Sequence, residues 1–557
     1  MTESATKVML LRLPISLEQF EKVFRQETHQ IGKSLHGRLG AAPASTATDP
    51  GAVVDYFQKA RKLIDSSLEA QADRYSSFRW LWYLRRLPRF VFEGHLSITY
   101  PYDSSLAEAL SATSARRSPY KILNGTLVYP IKREPLEIVM RFCVGVIYLS
   151  QIHSNIRLAS KGVEFEFADD ALGKEHATHP QIEAIELYDK RGARGFSVMR
   201  LHGSGTIATS EPDDKRAPLG MFVNRLVASV SQPLIIGGSK VKVTVDANFA
   251  VQGVSLENLE ILNRDPRLEG LTWWPEDAPV LLLTLYLAVF VFEAAPHGLL
   301  NVQLNGYLIV PIDSFLAIAD RWLAVGRHLV DQVLPGASMP TSGREVVDIL
   351  SVSRSDWPAH HSPMVRREGD CLCLDLSAAT EHFQRALIFS GVGGGAAPNV
   401  RGEHFEDRVQ QTIDASPWRP PASVRELKGR TLKRLGRSVT DIDALGTAGK
   451  QLLLISCKSR VKNLLYDGGD YSEVRNAATY LVDAAEQWIQ IKAFFQSNPV
   501  GDNYDFSPFT EIIAVVCTPS VFYVPIGIAT DFVAEGLLQV SSIDELSEFV
   551  MSSSDGK

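Results

Sequence analysis

The chain has 557 residues, 45% hydrophobic and 22% charged, which excludes wholesale disorder, a collagen-like repeat and a small disulfide scaffold. At about 150 residues per domain it holds two to four domains. Its 57 Lys/Arg against 64 Asp/Glu leave a formal charge of −7, which excludes a uniformly basic nucleic-acid coat but not a local basic patch.

Five cysteines, Cys143, Cys371, Cys373, Cys457 and Cys517, form neither an even secreted framework nor a paired CxxC zinc site, so a reducing cytoplasm is the expected home. The N-terminus carries Glu3 early and lacks an apolar core, so no secretory signal is expected. The longest apolar run, 280–292, falls short of the ~20 residues that span a bilayer. It reads as a buried helix or strand, and no membrane partner is expected.

In chain order, residues 51–87 bring Val54, Phe57 and Ile64 round near a 3.6-residue period and stop at Pro88, which predicts a helix. Its end, Phe78-Arg79-Trp80-Leu81-Trp82-Tyr83-Leu84-Arg85-Arg86, interleaves aromatics with arginines. That pattern suits base stacking with phosphate contacts, but the preferred reading is an amphipathic helix whose arginines snorkel beside a buried aromatic face. Alternation at Leu96, Ile98 and Tyr100, a turn at Asn124-Gly125 and the run 126–131 predict strands. Residues 136–152 are apolar almost all round and predict a helix central to a core. A β-rich middle follows, in which Val241, Val243 and Val245 alternate with polar residues, then a strand near 307–312 and a helix over 314–333.

The string Leu123-Asn124-Gly125-Thr126-Leu127-Val128-Tyr129-Pro130-Ile131 recurs as Leu304-Asn305-Gly306-Tyr307-Leu308-Ile309-Val310-Pro311-Ile312. A chain this long yields roughly one such match by chance, so duplication is the lesser alternative. Cys371-Leu372-Cys373 sits on an expected strand with no second cysteine pair, and His360-His361 in a Pro-flanked loop; neither predicts a metal site. The glycine run Ser390-Gly391-Val392-Gly393-Gly394-Gly395-Ala396-Ala397-Pro398 lacks the Lys-Ser/Thr of a phosphate loop and reads as a linker. The expected organisation is a mixed α/β region over 1–200, a second over 201–390, a Gly-rich linker over 391–399 and a separate domain over 400–557.

Chemistry concentrates in that last domain. In the helix Glu403 to Ile413, Glu406 is in line with Val409 and Ile413 and leans toward the core. A strand over 440–445 ends in a turn at Gly446 to Gly449 and returns as Lys450-Gln451-Leu452-Leu453-Leu454-Ile455-Ser456-Cys457-Lys458. Alternation puts Asp441 with Asp443 on one face, and Ser456 with Lys458. A lysine closing a run of buried aliphatics costs several kcal/mol unless paired, and the aspartates are its obvious partners. Carboxylates gathered around a lysine are also what Mg²⁺-assisted phosphodiester hydrolysis requires.

In element order and spacing, this stretch resembles the PD-(D/E)xK nuclease superfamily, the restriction-endonuclease-like fold with its αβββαβ core. The likeness covers roughly 400–525. It implies a metal-dependent nuclease with Glu406, Asp443, Ser456 and Lys458 as catalytic residues. Asp443, Glu406 and Asp441 would hold Mg²⁺ or Mn²⁺, and Lys458 would position the nucleophilic water. Ser456 stands where the family has Asp or Glu, which favours one metal over two. A helix over 472–496 is similar to the family's next core helix, where Gln487 or Gln490 would contribute, and 511–519 would be a further core strand.

From Arg401 to Lys462 the chain carries thirteen Lys/Arg against seven Asp/Glu, so Arg425, Lys428, Arg430, Lys433, Arg434, Arg437, Arg460 and Lys462 are the expected nucleic-acid contacts. DNA is the substrate the resemblance implies, with RNA left open. A homo-oligomer is expected, because many members cut both strands as dimers. The N-terminal regions would sense a trigger, protein or ligand, as in bacterial restriction and anti-phage effectors. The competing expectation is a non-catalytic protein that binds nucleic acid or a partner through a degenerate nuclease fold.

Overall fold

The computed structural model describes residues 12–39, 46–47, 49–88, 104–123, 126–167, 172–198, 218–236, 239–255, 283, 287, 296–333, 339–352, 362–388, 397–460, 462 and 464–552. The chain is mixed α/β, with helices predominating and several small sheets.

The first region contains α1 (Leu17–Leu39), β1 (Thr46–Ala47), α2 (Pro50–Ala72), α3 (Ser77–Leu84), α4 (Ser104–Ala112), the hairpin β2 (Lys121–Leu123)–β3 (Thr126–Val128), α5 (Arg133–Ala159), β4 (Glu164–Glu166), β5 (Lys174–His176) and α6 (His179–Val198). The expected helix over 51–87 is two helices. Asp49 caps Gly51 N and Pro50 opens α2, while the Ser76 hydroxyl accepts from Arg79 N and starts α3 afresh after a turn. The core helix expected over 136–152 is α5, which packs on α1 and α2. Among the described residues it is also the one helix long and apolar enough to cross a membrane, and most of that apolar window is buried in the fold.

The arginines of α3 and its C-terminal turn do not snorkel to solvent. Arg79, Arg85 and Arg86 are buried along with Trp80, Trp82 and Tyr83, so they are closed to nucleic acid as well. Arg85 forks onto Glu108 of α4 (2.6 Å) and reaches Asp375 (3.0 Å), and Arg86 donates to the Tyr307 hydroxyl (2.7 Å). Carboxylates contributed by distant segments make the burial of Arg85 tolerable, and a sequence window over 78–86 contains neither of them.

The second region contains the long hairpin β6 (Pro218–Ile236)–β7 (Ser239–Ser255), α7 (Pro296–Asn305), β8 (Tyr307–Pro311), α8 (Ile312–Val333), α9 (Gly343–Leu350), β9 (Val365–Glu368), β10 (Cys371–Asp375) and α10 (Leu376–Ile388). Its antiparallel sheet runs β8-β10-β9 over a core including Phe222, Phe249, Val310, Phe315 and Leu374. The two similar nine-residue strings differ locally: the first is the β2–β3 hairpin, whereas the second runs from the end of α7 into β8. The strand expected at 96–100 and His360-His361 lie outside the described residues. So does most of 280–292, of which Leu283 and Leu287 are helical and buried.

The last region begins with α11 (Ala397–Asp414), which starts inside the segment expected as linker, while 389–396 lie outside the described residues. It continues through α12 (Ala422–Arg425), the hairpin β11 (Thr431–Arg434)–β12 (Arg437–Asp441), β13 (Ala444–Ala448), β14 (Gln451–Cys457), α13 (Leu464–Asp467), α14 (Tyr471–Ser497), β15 (Glu511–Thr518), β16 (Phe532–Ala534), β17 (Leu537–Leu538), β18 (Val540–Ser542) and α15 (Ile543–Ser552). The sheet order is β13-β14-β15-β18; β13 and β14 are antiparallel, and β14, β15 and β18 are parallel. Strand β14 is central and covered on both faces. Leu452 and Leu454 meet the side of α14 with Leu481 and Trp488, while Leu453 and Ile455 meet Phe405, Val409 and Ile413 of α11 and Leu546 of α15.

The expected strand over 440–445 breaks at Ile442-Asp443, and β13 runs on through Gly446 to Ala448. Close packing explains it. A Cβ at residue 446 would lie 2.7 Å from Ile413 Cγ2 and 2.9 Å from the Trp418 carbonyl oxygen, while Gly449, with φ of 58°, makes the turn.

This region is docked on the first rather than separate from it. Arg191 of α6 holds the Glu545 carboxylate with two bonds (2.7 and 2.8 Å) and the Val540 carbonyl (2.8 Å). Lys462 donates to the Tyr188 hydroxyl (3.1 Å) and faces the rings of Tyr188, Tyr466 and Phe522.

Candidate functional site

Asp443 occupies the break between β12 and β13, where the last rungs of the β13–β14 ladder have ended. Its Oδ2 accepts the Cys457 N–H at 2.7 Å and faces the Ser456 hydroxyl at 3.5 Å. Ser456 is thus buried against the aspartate it helps to orient. The other oxygen, Oδ1, has no hydrogen-bond partner among the described residues. Burial raises the Asp443 pKa above the ordinary carboxylate value. The Cys457 N–H, the Lys458 charge and the Ser456 hydroxyl partly offset this, and Asp441 opposes them.

Glu406 reaches the same place from α11. Its carboxyl is also raised, first by burial and then by the negative charge of Asp443, with Lys428 pulling the other way. The helix is registered on the sheet by Gln410, one turn further along. Gln410 is fully buried; its Nε2 donates to the Leu445 carbonyl and to Asp414 Oδ1, and its Oε1 accepts the Leu445 N–H, all at 2.9 Å. That clamp sets the separation of Glu406 from Asp443. The available signal for it is a glutamine beside Val409 and Ile413 on the helix's inner face.

Lys458 extends β14, its N–H donating to the Cys517 carbonyl (2.8 Å). Its ammonium lies close enough to Asp443 to lower that carboxyl's pKa, yet it forms no ion pair among the described residues. The contact expected of a purely structural Asp443–Lys458 pair is therefore not made. The fold brings Glu406 and Lys458 each within electrostatic reach of Asp443. Asp441 ends β12, exposed, close enough to repel Asp443.

Other expected residues are placed differently. Gln487 and Gln490 lie on the exposed face of α14, opposite the face from which Trp488 donates to the Leu454 carbonyl, so neither turns toward the sheet. Half of the basic residues are already in ion pairs. Arg425 pairs with Asp414 (3.0 Å), Lys428 with Asp407, Arg430 with Glu426 (3.6 Å) and Arg460 with Glu473 (3.3 Å). Arg434 donates to Asn498, and Lys462 faces its aromatic neighbours at the interface. Lys433 and Arg437 remain exposed and form no ion pair among the described residues. A charge count over 401–462 includes Asp407, Asp414 and Glu426 but cannot show that each sits against a particular base, and it leaves out Glu473.

Among the described residues no three His, Cys, Asp or Glu side chains converge closely enough to hold a metal ion. The donor chemistry at Asp443 suits a hard cation, with one carboxylate oxygen unused and a second carboxyl, Glu406, beside it. Mg²⁺ is commonly held by one or two carboxylates together with waters and substrate phosphate rather than by an all-protein cage.

Among known proteins, the chain matches no family model, no curated sequence and no solved structure.

Proposed function

We propose that the C-terminal region is a Mg²⁺- or Mn²⁺-dependent nuclease acting on DNA, with a core of the PD-(D/E)xK kind. The observation that carries this reading is Asp443, fixed through one oxygen at a sheet end, with a second carboxyl and an ammonium that forms no ion pair within its field. The order α11, β13, β14, α14, β15, with an antiparallel pair followed by a parallel strand, also supports that reading, while β12 pairs with β11 outside this sheet. A bound Mg²⁺ would supply charge to polarise the phosphodiester and to acidify a water.

The protein's own groups have separable roles. The Cys457 N–H and the Ser456 hydroxyl hold one oxygen of Asp443, so that Oδ1 would be left to hold a metal ion with little freedom to lose. Lys458 offers a cation to the scissile phosphate or to the attacking water, and its charge also favours the ionised form of Asp443. Glu406, with its raised pKa, accepts or returns a proton more readily near neutral pH than an exposed glutamate does. The first two regions are proposed as the part that senses a protein or ligand trigger in a defence effector.

A second reading is a non-catalytic module that binds nucleic acid or a partner. It is favoured by the internal pairing of Arg425, Lys428, Arg430 and Arg460. Cleavage of plasmid and linear DNA by the full chain, with and without Mg²⁺ or Mn²⁺, separates the two. The nuclease reading expects metal-dependent cutting that is lost in Asp443→Ala and Lys458→Ala. Cutting retained in both variants would remove the site, and metal binding absent at Asp443 would favour the second reading.

A further inference from the structure

The tip of the β11–β12 hairpin breaks three local rules at once. Leu435 has φ of 51° and, among the described residues, is the one non-glycine with a positive φ; that conformation is strained for a residue with a Cβ. Its side chain is 85% exposed, so packing returns nothing for the strain. Arg434 and Arg437 stand directly opposite each other across the ladder, where like charges weaken a two-stranded ribbon.

The tip is nevertheless held firmly. Both oxygens of the Asp502 carboxylate accept from it, Oδ1 from Leu435 N (3.0 Å) and Oδ2 from Gly436 N (2.7 Å). Asn503 accepts from Lys433 N (2.8 Å) and donates to the Thr431 carbonyl (3.0 Å), and Asp502 N donates to the Lys433 carbonyl (2.8 Å). Five hydrogen bonds from one loop thus fix a strained turn that displays an apolar side chain. Lys433 and Arg437, exposed and forming no internal ion pair among the described residues, flank it. Local rules broken together on a rigid support mark a surface built for an outside contact.

We propose that this tip is a duplex-DNA contact in which Leu435 wedges into a base step from the groove while Lys433 and Arg437 hold the flanking phosphates. Apolar wedges beside cations are a recurring way to unstack and kink a duplex, and Lys433 and Arg437 on either side of Leu435 complement the phosphates that flank a base step. The assignment rests on the nucleic-acid reading above. Leu435 lies eight residues from Asp443, so at ~3.4 Å per residue the tip is at most ~27 Å from the candidate site. That is roughly eight base-pair rises, so one duplex can meet both.

The test uses the full chain in EDTA with a duplex of about 30 base pairs carrying 2-aminopurine at successive positions, read by fluorescence and by anisotropy. Leu435→Asn is the informative variant, because asparagine accepts the left-handed turn and leaves the hairpin folded. Wild type should brighten 2-aminopurine at one or two steps. Leu435→Asn should lose that signal and bind roughly tenfold more weakly. The Lys433→Ala/Arg437→Ala double variant should flatten the salt dependence of binding by about two phosphate contacts. Equal brightening and affinity in Leu435→Asn would overturn the wedge and leave the nucleic-acid reading standing. Absence of binding to any duplex by wild type would overturn both. Leu435-dependent binding only to single-stranded RNA or to anionic vesicles would overturn the choice of DNA.

Discussion

Gln410→Leu keeps most of the side-chain volume and deletes the clamp between α11 and β13. It strands the Leu445 N–H and C=O, both of which lose their 2.9 Å partner in a residue that is fully buried. An orphaned buried backbone group costs about 1–3 kcal/mol. With two stranded, and part of the loss recovered by the added apolar contact, the expected destabilisation is about 2–4 kcal/mol. Native-state hydrogen exchange by mass spectrometry reads this locally and needs no two-state unfolding of a 557-residue chain. Peptides covering β13 and β14 should lose one and a half to three decades of protection at ~1.4 kcal/mol per decade. Peptides from α2 and α5 should be unchanged. Protection of β13 within a factor of two of wild type would refute the idea that Gln410 registers the helix bearing Glu406 on the strand that follows Asp443.

The remaining predictions concern charge. Burial raises the Asp443 carboxyl above its unfolded value, so its contribution to stability is present at low pH and lost as pH rises through the raised pKa. In EDTA, Asp443→Asn should therefore unfold at a higher temperature than wild type at pH 7 and show no such gain near pH 4; a lower midpoint at pH 7 would contradict the assignment. Arg191→Ala leaves Glu545 buried with its main counter-charge gone and should cost about 3–5 kcal/mol in the docking of α6 on the last region, read as faster exchange in α6 and α15. Burial, with Arg157 and Lys462 nearby, brings the Lys161 amine down to about 7. The unfolded chain then binds more protons between about pH 7 and 10, so stability should rise across that window. Thermal midpoints should show this rise in wild type and a flatter profile in Lys161→Met.

Much of the last region was legible before any coordinates. The uninterrupted apolar run 452–455 announces a central strand covered on both faces, because no half-exposed strand tolerates that pattern. Glu406 beside Val409 and Ile413, and Asp443 and Lys458 at the ends of one hairpin, follow from the periods of helix and strand alone. Less was legible where partners come from far along the chain. Arg85 looks solvent-bound until Glu108 and Asp375 arrive from α4 and β10, and Arg86 until Tyr307 arrives from β8. The basic stretch from Arg425 looks like a phosphate track until Asp407, Asp414 and Glu473 neutralise much of it.

Local periodicity and turn chemistry therefore suffice to say which side chains alternate inward, where α11, β14 and α14 lie within a few residues, and which acids and which lysine stand near their ends, whereas the expected strand over 440–445 is divided between β12 and β13. Long-range packing settles which charges are already paired, how Gln410 registers the helix of Glu406 on β13, and that Asp502 and Asn503 stiffen a turn with Leu435 at its tip. Those outcomes are Coulombic and hydrogen-bonding matters that change within a few ångströms, and no spacing along the chain reports which distant groups arrive within that range.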